Sequence, residues 1–282
     1  MRGHGLNNDQ ASEKDNQWQK HLVQRHIGYK PIREVLAYFN DYSAWPNIED
    51  YNRYGKSISN INQQHLKFVE QNVQCLEHYE EKIYKKGLVN TRRNNWHDFF
   101  NYTVWQTFPK AKAFINALQY QDYQAQEFSS KRTPRQNYLA HLDESGMFVF
   151  SSQPKLLTCL KQHEWKTLFW THRDEVLQDI CFVPFGHAIY EKLLNPYIGL
   201  TTKALVFDVP QVFIKRINGG DYQLVDELVY QFMQTTLTNE QSFLLNSKLQ
   251  PVPILGIPKW SEHANHAKFY DNLRYFRPKP NK

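Results

Sequence analysis

The stretch WHDFFNYTVWQTF, which begins at Trp96, constrains the fold more than any other part of the chain. In steps of about 100° per residue, Phe99 and Val104 fall on the same side of a helix as Trp96. Trp105 and Phe108 point elsewhere, so apolar side chains surround most of the helix. A helix of this kind is buried, and the other elements must pack around it.

Both ends of this helix are marked in the sequence. Asn95 is a suitable N-cap, and Asp98 stands three residues later, as in a capping box. Pro109 suits the first position of a second helix, predicted over residues 110–119. Aromatic residues make up 15% of the chain and supply the rings for a core around these helices. The sequence therefore predicts a helical pair at the centre of the protein.

Two further segments give specific predictions. Leu66, Val69 and Val73 recur at spacings of three and four, which predicts a helix that Gly87 ends. Two β-prone runs flank Asp-Glu-Ser-Gly at residues 143–146, which predicts a β-hairpin.

The remaining patterns define the fold class. A helix begins at Pro154, a strand near residue 180 leads into a helix, and residues 222–237 form another helix. The Pro- and aromatic-rich C-terminus is interpreted as an extended strap. We expect an α+β fold, a mostly helical single domain over residues 18–282 with a small β-hairpin or sheet. The polar residues 1–17 are expected to be flexible.

Charge and cysteine usage narrow the class of protein. The net charge of +6 permits an anionic partner but is modest for a dedicated nucleic-acid binder. The three cysteines form no CxxC pair, so neither a disulfide framework nor a zinc knuckle is expected. No stretch reaches the roughly 18 apolar residues of a membrane span, and the N-terminus lacks an apolar leader. These features predict a soluble, cytoplasmic protein without a membrane partner.

The buried helix also carries polar side chains. His97 and Asn101 are four residues apart and share one helical face beside the rings. A buried imidazole or amide needs hydrogen-bond partners or a function. His97 is equally consistent with a structural and a catalytic role, whereas helix capping is the favoured role of Asp98.

A second candidate segment is GHAIYE, which begins at Gly186. His187 and Glu191 are four residues apart, so a helix can present an imidazole and a carboxylate to one metal or one water. Gly186 removes bulk beside them and would let another backbone or a ligand approach. An HxxxE spacing is a weak signal, and a surface His/Glu pair is the simpler interpretation.

Further candidates lie near the predicted hairpin and in basic segments. His141 is expected to share the core-facing side of Leu139 and to join His97 and His187 as a metal ligand. Asp143 and Glu144 are interpreted as ordinary turn residues. The guanidinium groups of Arg92 and Arg135 could hold an anionic substrate.

Several of these segments together resemble a known family. YEEKIYKKGLVNTRRNNWHDFFNYTVWQTFPKAKAFINALQ, LDESG, WKTLFW, FGHAIYEKLLNPY and PVPILGIPKW are similar, in this order, to the bacterial domain-of-unknown-function 3025 family. The resemblance runs from about Trp45 to Pro278. It implies a bacterial, soluble, single-domain protein and supplies no activity, cofactor or catalytic residue.

Two functions remain open from the sequence. In the first, the protein is a hydrolase: His97, Asp98, His187 and Glu191 act in one cleft, with a divalent metal as a possible cofactor. Arg92, Asn101 or Arg135 would then bind an anionic substrate. In the second, the polar groups are internal supports, and the protein binds an anionic partner such as nucleic acid without catalysis.

Overall fold

The computed structural model describes residues 17–54, 57–71, 77–127, 131–238, 243 and 248–280. Its α-helices are α1 (Leu22–Arg25), α2 (Arg33–Tyr38), α3 (Ile48–Tyr54), α4 (Tyr79–Lys86), α5 (Trp96–Thr107), α6 (Pro109–Ala125), α7 (Pro134–Ser145), α8 (Pro154–Gln162), α9 (Arg173–Asp179), α10 (His187–Lys192), α11 (Gln211–Gly219) and α12 (Tyr222–Thr236). The strands are β1 (Lys67–Glu70), β2 (Leu88–Thr91), β3 (Gly146–Ser151), β4 (Ile180–Pro184), β5 (Thr201–Asp208) and β6 (Gln250–Pro253). The fold is α+β and mostly helical, as predicted.

The predicted helical pair, α5 and α6, is buried. Phe99, Phe100 and Val104 of α5 are 0% exposed, and the side chain of Asn95 accepts a hydrogen bond from the amide of Asp98 at 3.0 Å. Pro109 opens α6, which extends further than predicted. The N-cap, the all-round apolar surface and the proline are therefore confirmed.

The strands form two sheets. In the larger sheet the order is β4-β3-β5-β6, with β3 parallel to β5 and antiparallel to β4, and β6 antiparallel to β5. All six residues of β3 are buried, because helices cover both faces of this central strand. The C-terminal segment contributes the edge strand β6 and continues in 3-10 turns at Ile254–Gly256, Glu262–Asn265 and Ala267–Asp271.

The helix predicted through residues 66–86 is wrong in its first part. Lys67–Glu70 is strand β1, which pairs in parallel with Leu88–Thr91, and only Tyr79–Lys86 is helical. Leu66 and Phe68 are buried while Lys67 is exposed, so a period of two fits these residues as well as a helical spacing does. Gly87 ends α4 with φ 67°, as predicted. Val73 lies outside the described residues.

The hairpin predicted around residues 143–146 is also wrong. Residues Pro134–Ser145 form α7, and β3 starts at Gly146 without a turn. A capping box begins this helix: the hydroxyl of Thr133 accepts from the amide of Gln136, and the Gln136 side chain accepts from the amide of Thr133. Because the helix continues through Asp143 and Glu144, these carboxylates project from its last turn.

None of the helices in the described part of the chain has the length and apolar character that a membrane crossing requires.

Candidate metal site

Helix α10 packs against both α5 and α7 and brings the polar faces of three helices together. Gly186, directly before α10, makes this packing possible. A Cβ atom there would lie 2.4 Å from the main-chain nitrogen of Gly146 and 2.5 Å from the carbonyl oxygen of Glu144. The amide of Gly186 instead donates to the carbonyl of Gly146 at 2.9 Å. The predicted close approach of another backbone to Gly186 is confirmed.

Two histidines distant in sequence meet at this junction. His97 of α5 and His187 of α10 face each other with their Nε2 atoms 2.9 Å apart and their ring planes at 83°. Glu144 of α7 brings one carboxylate oxygen to 3.6 Å from Nε2 of His187 and the other to 4.0 Å from Nε2 of His97. One ligand atom from each residue lies within 4.8 Å of the others, a grouping that could hold a metal ion.

Each imidazole has a carboxylate on its far side. Nδ1 of His97 is 3.0 Å from a carboxylate oxygen of Glu191, and Nδ1 of His187 is 3.8 Å from one of Asp143. Metal-binding histidines commonly direct their second ring nitrogen at a carboxylate, which fixes the ring and leaves the other nitrogen for the metal. Both Nε2 atoms therefore point toward the same small space beside Glu144.

The two histidines differ in their affinity for protons. Burial lowers the pKa of His187 to about 3, so its ring is neutral at pH 7. The hydrogen bond to Glu191 raises the pKa of His97, with the charge of Glu144 acting in the same direction. The two Nε2 atoms are within hydrogen-bond distance, so one ring donates to the other and a single proton lies between them. A cation between these atoms would replace that proton.

A buried lysine supports the carboxylate behind His187. Nζ of Lys112 donates to Asp143 at 2.5 Å and to the side-chain oxygen of Asn101 at 2.9 Å. Burial would raise the pKa of Asp143, but the charge of Lys112 outweighs it and holds the pKa below its usual value. Asn101 in turn donates to the hydroxyl of Tyr79 at 3.0 Å. A continuous chain of contacts thus runs from His187 to Tyr79.

These groups line a cleft of about 530 Å³. Its walls are formed by side chains of α4, α5, α6, α7 and α10, the strand β2 and the loops beside them. The lining residues are predominantly polar, and they include both histidines, Asp98, Asn101, Asp143 and Glu144. Three helices and a water-accessible space therefore converge on the candidate ligands.

The structure places the other predicted residues in different settings. Asp98 and Arg92 line the cleft but bind each other, with the guanidinium at 2.8 Å and 3.0 Å from the two carboxylate oxygens and the Arg92 amide at 2.6 Å. Asp98 therefore does not complete a capping box with Asn95. Glu191 contacts Nδ1 of His97 and is not one of the three grouped ligands.

Arg135 and His141 lie apart from the site. Arg135 binds the carboxylate of Asp122 and the carbonyl of Leu237, since its side chain turns toward the far ends of α6 and α12. His141 is exposed, so the expectation that it shares the buried side of Leu139 is wrong. The reason is the helical geometry of α7, which places neighbouring positions about 100° apart and not on alternating faces.

Three residues of the site were missed as functional candidates. Asp143 and Glu144 were assigned to a turn, and Lys112 was not considered. The sequence Thr133-Pro134-Arg135-Gln136 does contain a helix-start signal that would have placed Asp143 and Glu144 on the face that carries Ala140. No sequence signal distinguishes Lys112 from Lys110, the other lysine of α6.

Comparison with known proteins places the chain by its sequence. The profile of the family described as Protein of unknown function (DUF3025) matches residues 66–280, which is most of the chain. The chain belongs to this family. Helices α5, α7 and α10, with the three candidate ligands, all lie within the matched region. No curated protein and no solved structure matches the chain.

Proposed function

We propose that this DUF3025 protein is a metal-dependent hydrolase, with His97, His187 and Glu144 as the ligands of one divalent cation. The single observation that carries the proposal is the convergence of both Nε2 atoms on the carboxylate of Glu144. Zinc–nitrogen bonds of about 2.0–2.1 Å at the tetrahedral angle would place two ligand nitrogens roughly 3.3–3.4 Å apart. The observed 2.9 Å is shorter, so the two rings would separate by about half an ångström to admit zinc.

A set of two histidines and one carboxylate leaves coordination positions open, which is typical of catalytic and not of structural sites. A divalent cation bound there lowers the pKa of a coordinated water and polarises a substrate carbonyl or phosphoryl group. The chain's own part is to fix the ligands: Glu191 is hydrogen-bonded to Nδ1 of His97, and the charge of Asp143, held by Lys112, faces Nδ1 of His187 from 3.8 Å without a hydrogen bond. The cleft beside the ligands gives a substrate access.

The charges of the cleft favour a cation at its centre over a nucleic-acid backbone. Five carboxyl groups line it, against two arginines, although Asp98 is paired with Arg92 and Asp143 with Lys112. A polyanion would meet unfavourable charge along much of this wall. A small anionic substrate remains compatible, because the cation itself would attract it.

Metal analysis of untagged protein tests the proposal. We expect about one equivalent of zinc, or another divalent metal, after purification, and loss of it in the variants His97→Ala, His187→Ala and Glu144→Ala. His141→Ala is the matched control, because His141 is an exposed histidine on the same helix as Glu144. It should retain the metal.

Activity is then measured on chromogenic esters, phosphoesters and peptides, with and without chelator. Chelator-sensitive hydrolysis that is lost in Glu144→Ala supports the proposal. Folded protein that takes up no divalent metal, or takes it up equally in all three ligand variants, contradicts it. Iron in place of zinc would indicate oxygen chemistry instead of hydrolysis, since this ligand set also serves iron(II) oxygenases.

A further inference from the structure

One wall of the cleft, away from the two histidines, carries hydrogen-bonding groups that the protein leaves unused. Tyr79 and Glu80 stand at the start of α4, and Arg132 precedes α7; all three line the cleft. The hydroxyl oxygen of Tyr79 accepts from Asn101, and its own proton has no acceptor among the described residues. Arg132 has no hydrogen bond or ion pair within the described ranges. Two donors on this wall are thus available to a ligand.

Glu80 is held in place between them. The side-chain amide of Asn116 donates to one carboxylate oxygen of Glu80 at 2.6 Å and to its main-chain oxygen at 3.0 Å. The second carboxylate oxygen has no hydrogen-bond partner in the part of the chain that the structure describes. The orientation of this carboxyl is therefore fixed while one of its oxygens remains available in the cleft.

The other charged groups near this wall are paired within the protein. These pairs are Asp98 with Arg92, Asp143 with Lys112, and Glu77 with Lys86. Glu80 and Arg132 share the wall without forming an ion pair with each other. A guanidinium without a carboxylate partner, beside a phenol that retains its proton, is suited to a planar or tetrahedral oxyanion.

We propose that Tyr79, Glu80 and Arg132 form an anion-binding subsite, which accepts a carboxylate or phosphate group of the substrate. Tyr79 and Arg132 donate hydrogen bonds to the anion, and the protonated carboxyl of Glu80 supplies a third donor. The statement that the bound anion is part of a substrate rests on the proposed hydrolase function. Its binding test needs no metal.

The proton affinity of Glu80 supports this arrangement. Burial raises the pKa of Glu80 to about 7, against the lowering effect of the Asn116 hydrogen bond. The charges that act on it come from two helices and a loop: Asp143 of α7 raises the pKa, while Lys112 of α6 and Arg132, in the loop before α7, lower it. Near neutral pH a large share of Glu80 is therefore neutral and can donate. Tyr79 also keeps its proton, because burial raises its pKa well above the usual value.

Anion titrations of the metal-free protein, followed by two-dimensional NMR, test the subsite. Sulfate and acetate are the probes, because their charge is constant between about pH 6 and pH 8. We expect shifts at Tyr79 and Arg132 with a dissociation constant about tenfold weaker at pH 8 than at pH 6, since protonated Glu80 falls about tenfold over that range for a pKa near 7. Tyr79→Phe and Arg132→Gln should each weaken binding about fivefold or more.

Glu80→Gln should remove most of the pH dependence, since the amide donates at every pH. Arg93→Gln is the matched control: its guanidinium pairs with Glu70 on the surface, and the variant should bind as the wild type does. The proposal is overturned if neither anion binds at about pH 6, if Arg132→Gln binds as tightly as Arg93→Gln, or if Glu80→Gln keeps the wild-type pH profile. Anion binding by a protein that takes up no metal would contradict the hydrolase proposal and support the subsite. Metal uptake without anion binding would contradict the subsite and leave the hydrolase proposal standing.

Discussion

Helix α5 has two faces that are held in place by different kinds of interaction. On one face, Phe99 packs edge-to-face against Trp18 and Phe39, with ring centroids 5.0 and 5.5 Å apart. On the other face, His97 contacts Glu191 and His187, and Asn101 contacts Tyr79 and Lys112. Rings pack against rings on the first face, whereas hydrogen bonds and charged contacts hold the second.

This difference separates stability from function. Burial of rings is non-directional, so the apolar face supplies folding energy in proportion to area. Buried polar groups stabilise little on balance, and each becomes costly if its partner is removed. The polar face is therefore expected to contribute geometry more than stability. Single substitutions on the two faces should give opposite patterns in unfolding and in metal binding.

The largest expected effect is on the apolar face. Phe99→Ala removes a ring that is 0% exposed, so the free energy of unfolding should fall by about 3–5 kcal/mol. Chemical denaturation measures this change, with Leu273→Ala, at 66% exposure, as a control near zero. The fraction that remains folded should bind metal with nearly unchanged affinity. A large loss of metal affinity in folded Phe99→Ala would show that the faces are not separable.

Lys112→Met should affect both properties. Asp143 would be left without its ammonium partner, at a cost of about 3 kcal/mol in the free energy of unfolding. The metal affinity should fall about 10- to 100-fold, because the carboxylate that faces His187 is released. Calorimetric titration with Zn²⁺ measures it, and Lys110→Met is the control, since Lys110 lies on the same helix and pairs with Glu227 on the surface.

The double variant Lys112→Met, Asp143→Asn separates the two contributions. Removing the unpaired charge should restore part of the stability, whereas metal affinity should stay low. Wild-type affinity in the double variant would mean that Asp143 and Lys112 support the fold alone.

The apolar face of α5 was predictable from sequence, whereas much of the polar face was not. The burial and the ends of the helix follow from local features: apolar residues on all sides, Asn95 before the helix and Pro109 after it. Such features can be recognised in a single sequence. The grouping of His97 with His187 was predicted only as a hypothesis of convergence. Its geometry depends on how α10 packs against α5, which local patterns do not encode.

Two errors in secondary structure had unequal consequences. Mistaking β1 for a helix left the site unaffected, because β1 contributes none of its ligands. Mistaking the end of α7 for a hairpin removed Glu144 from consideration and promoted His141. Asp-Glu-Ser-Gly suits a turn by local chemistry, but the capping box at Thr133 and Gln136 twelve and nine residues before Ser145 favours a helix through it. The helix that starts at this capping box therefore continues through Asp-Glu-Ser, and no turn forms there.

Glu80→Gln should raise the free energy of unfolding, in contrast to Phe99→Ala and Lys112→Met, and by a smaller amount. The folded-state pKa of about 7 lies above the ordinary 4.5, so the carboxyl favours folding below about pH 4.5 and this contribution is lost as the pH rises through 7. Glutamine stays neutral, so at about pH 8 the variant should be more stable than wild type by about 2 kcal/mol, a value reduced for partial exposure to solvent. Denaturation at about pH 5 and pH 8 measures it. Equal pH dependence in both proteins would show that Glu80 titrates normally.

The smallest expected effect tests whether the two faces meet at the start of α5. Asn95→Ala removes the side-chain cap on the amide of Asp98 and should lower the free energy of unfolding by about 1 kcal/mol. Asn137→Ala, an exposed position within α7, is the control and should be neutral or slightly stabilising.

The rings of the apolar face continue along the helix to Phe108, whereas His97 lies in the first turn, where loss of the cap permits fraying. Metal affinity should therefore fall a few-fold in Asn95→Ala, although the lost cap contacts neither ligand. An unchanged metal affinity at the lower stability would show that Glu191 and His187 hold His97 without help from the helix end.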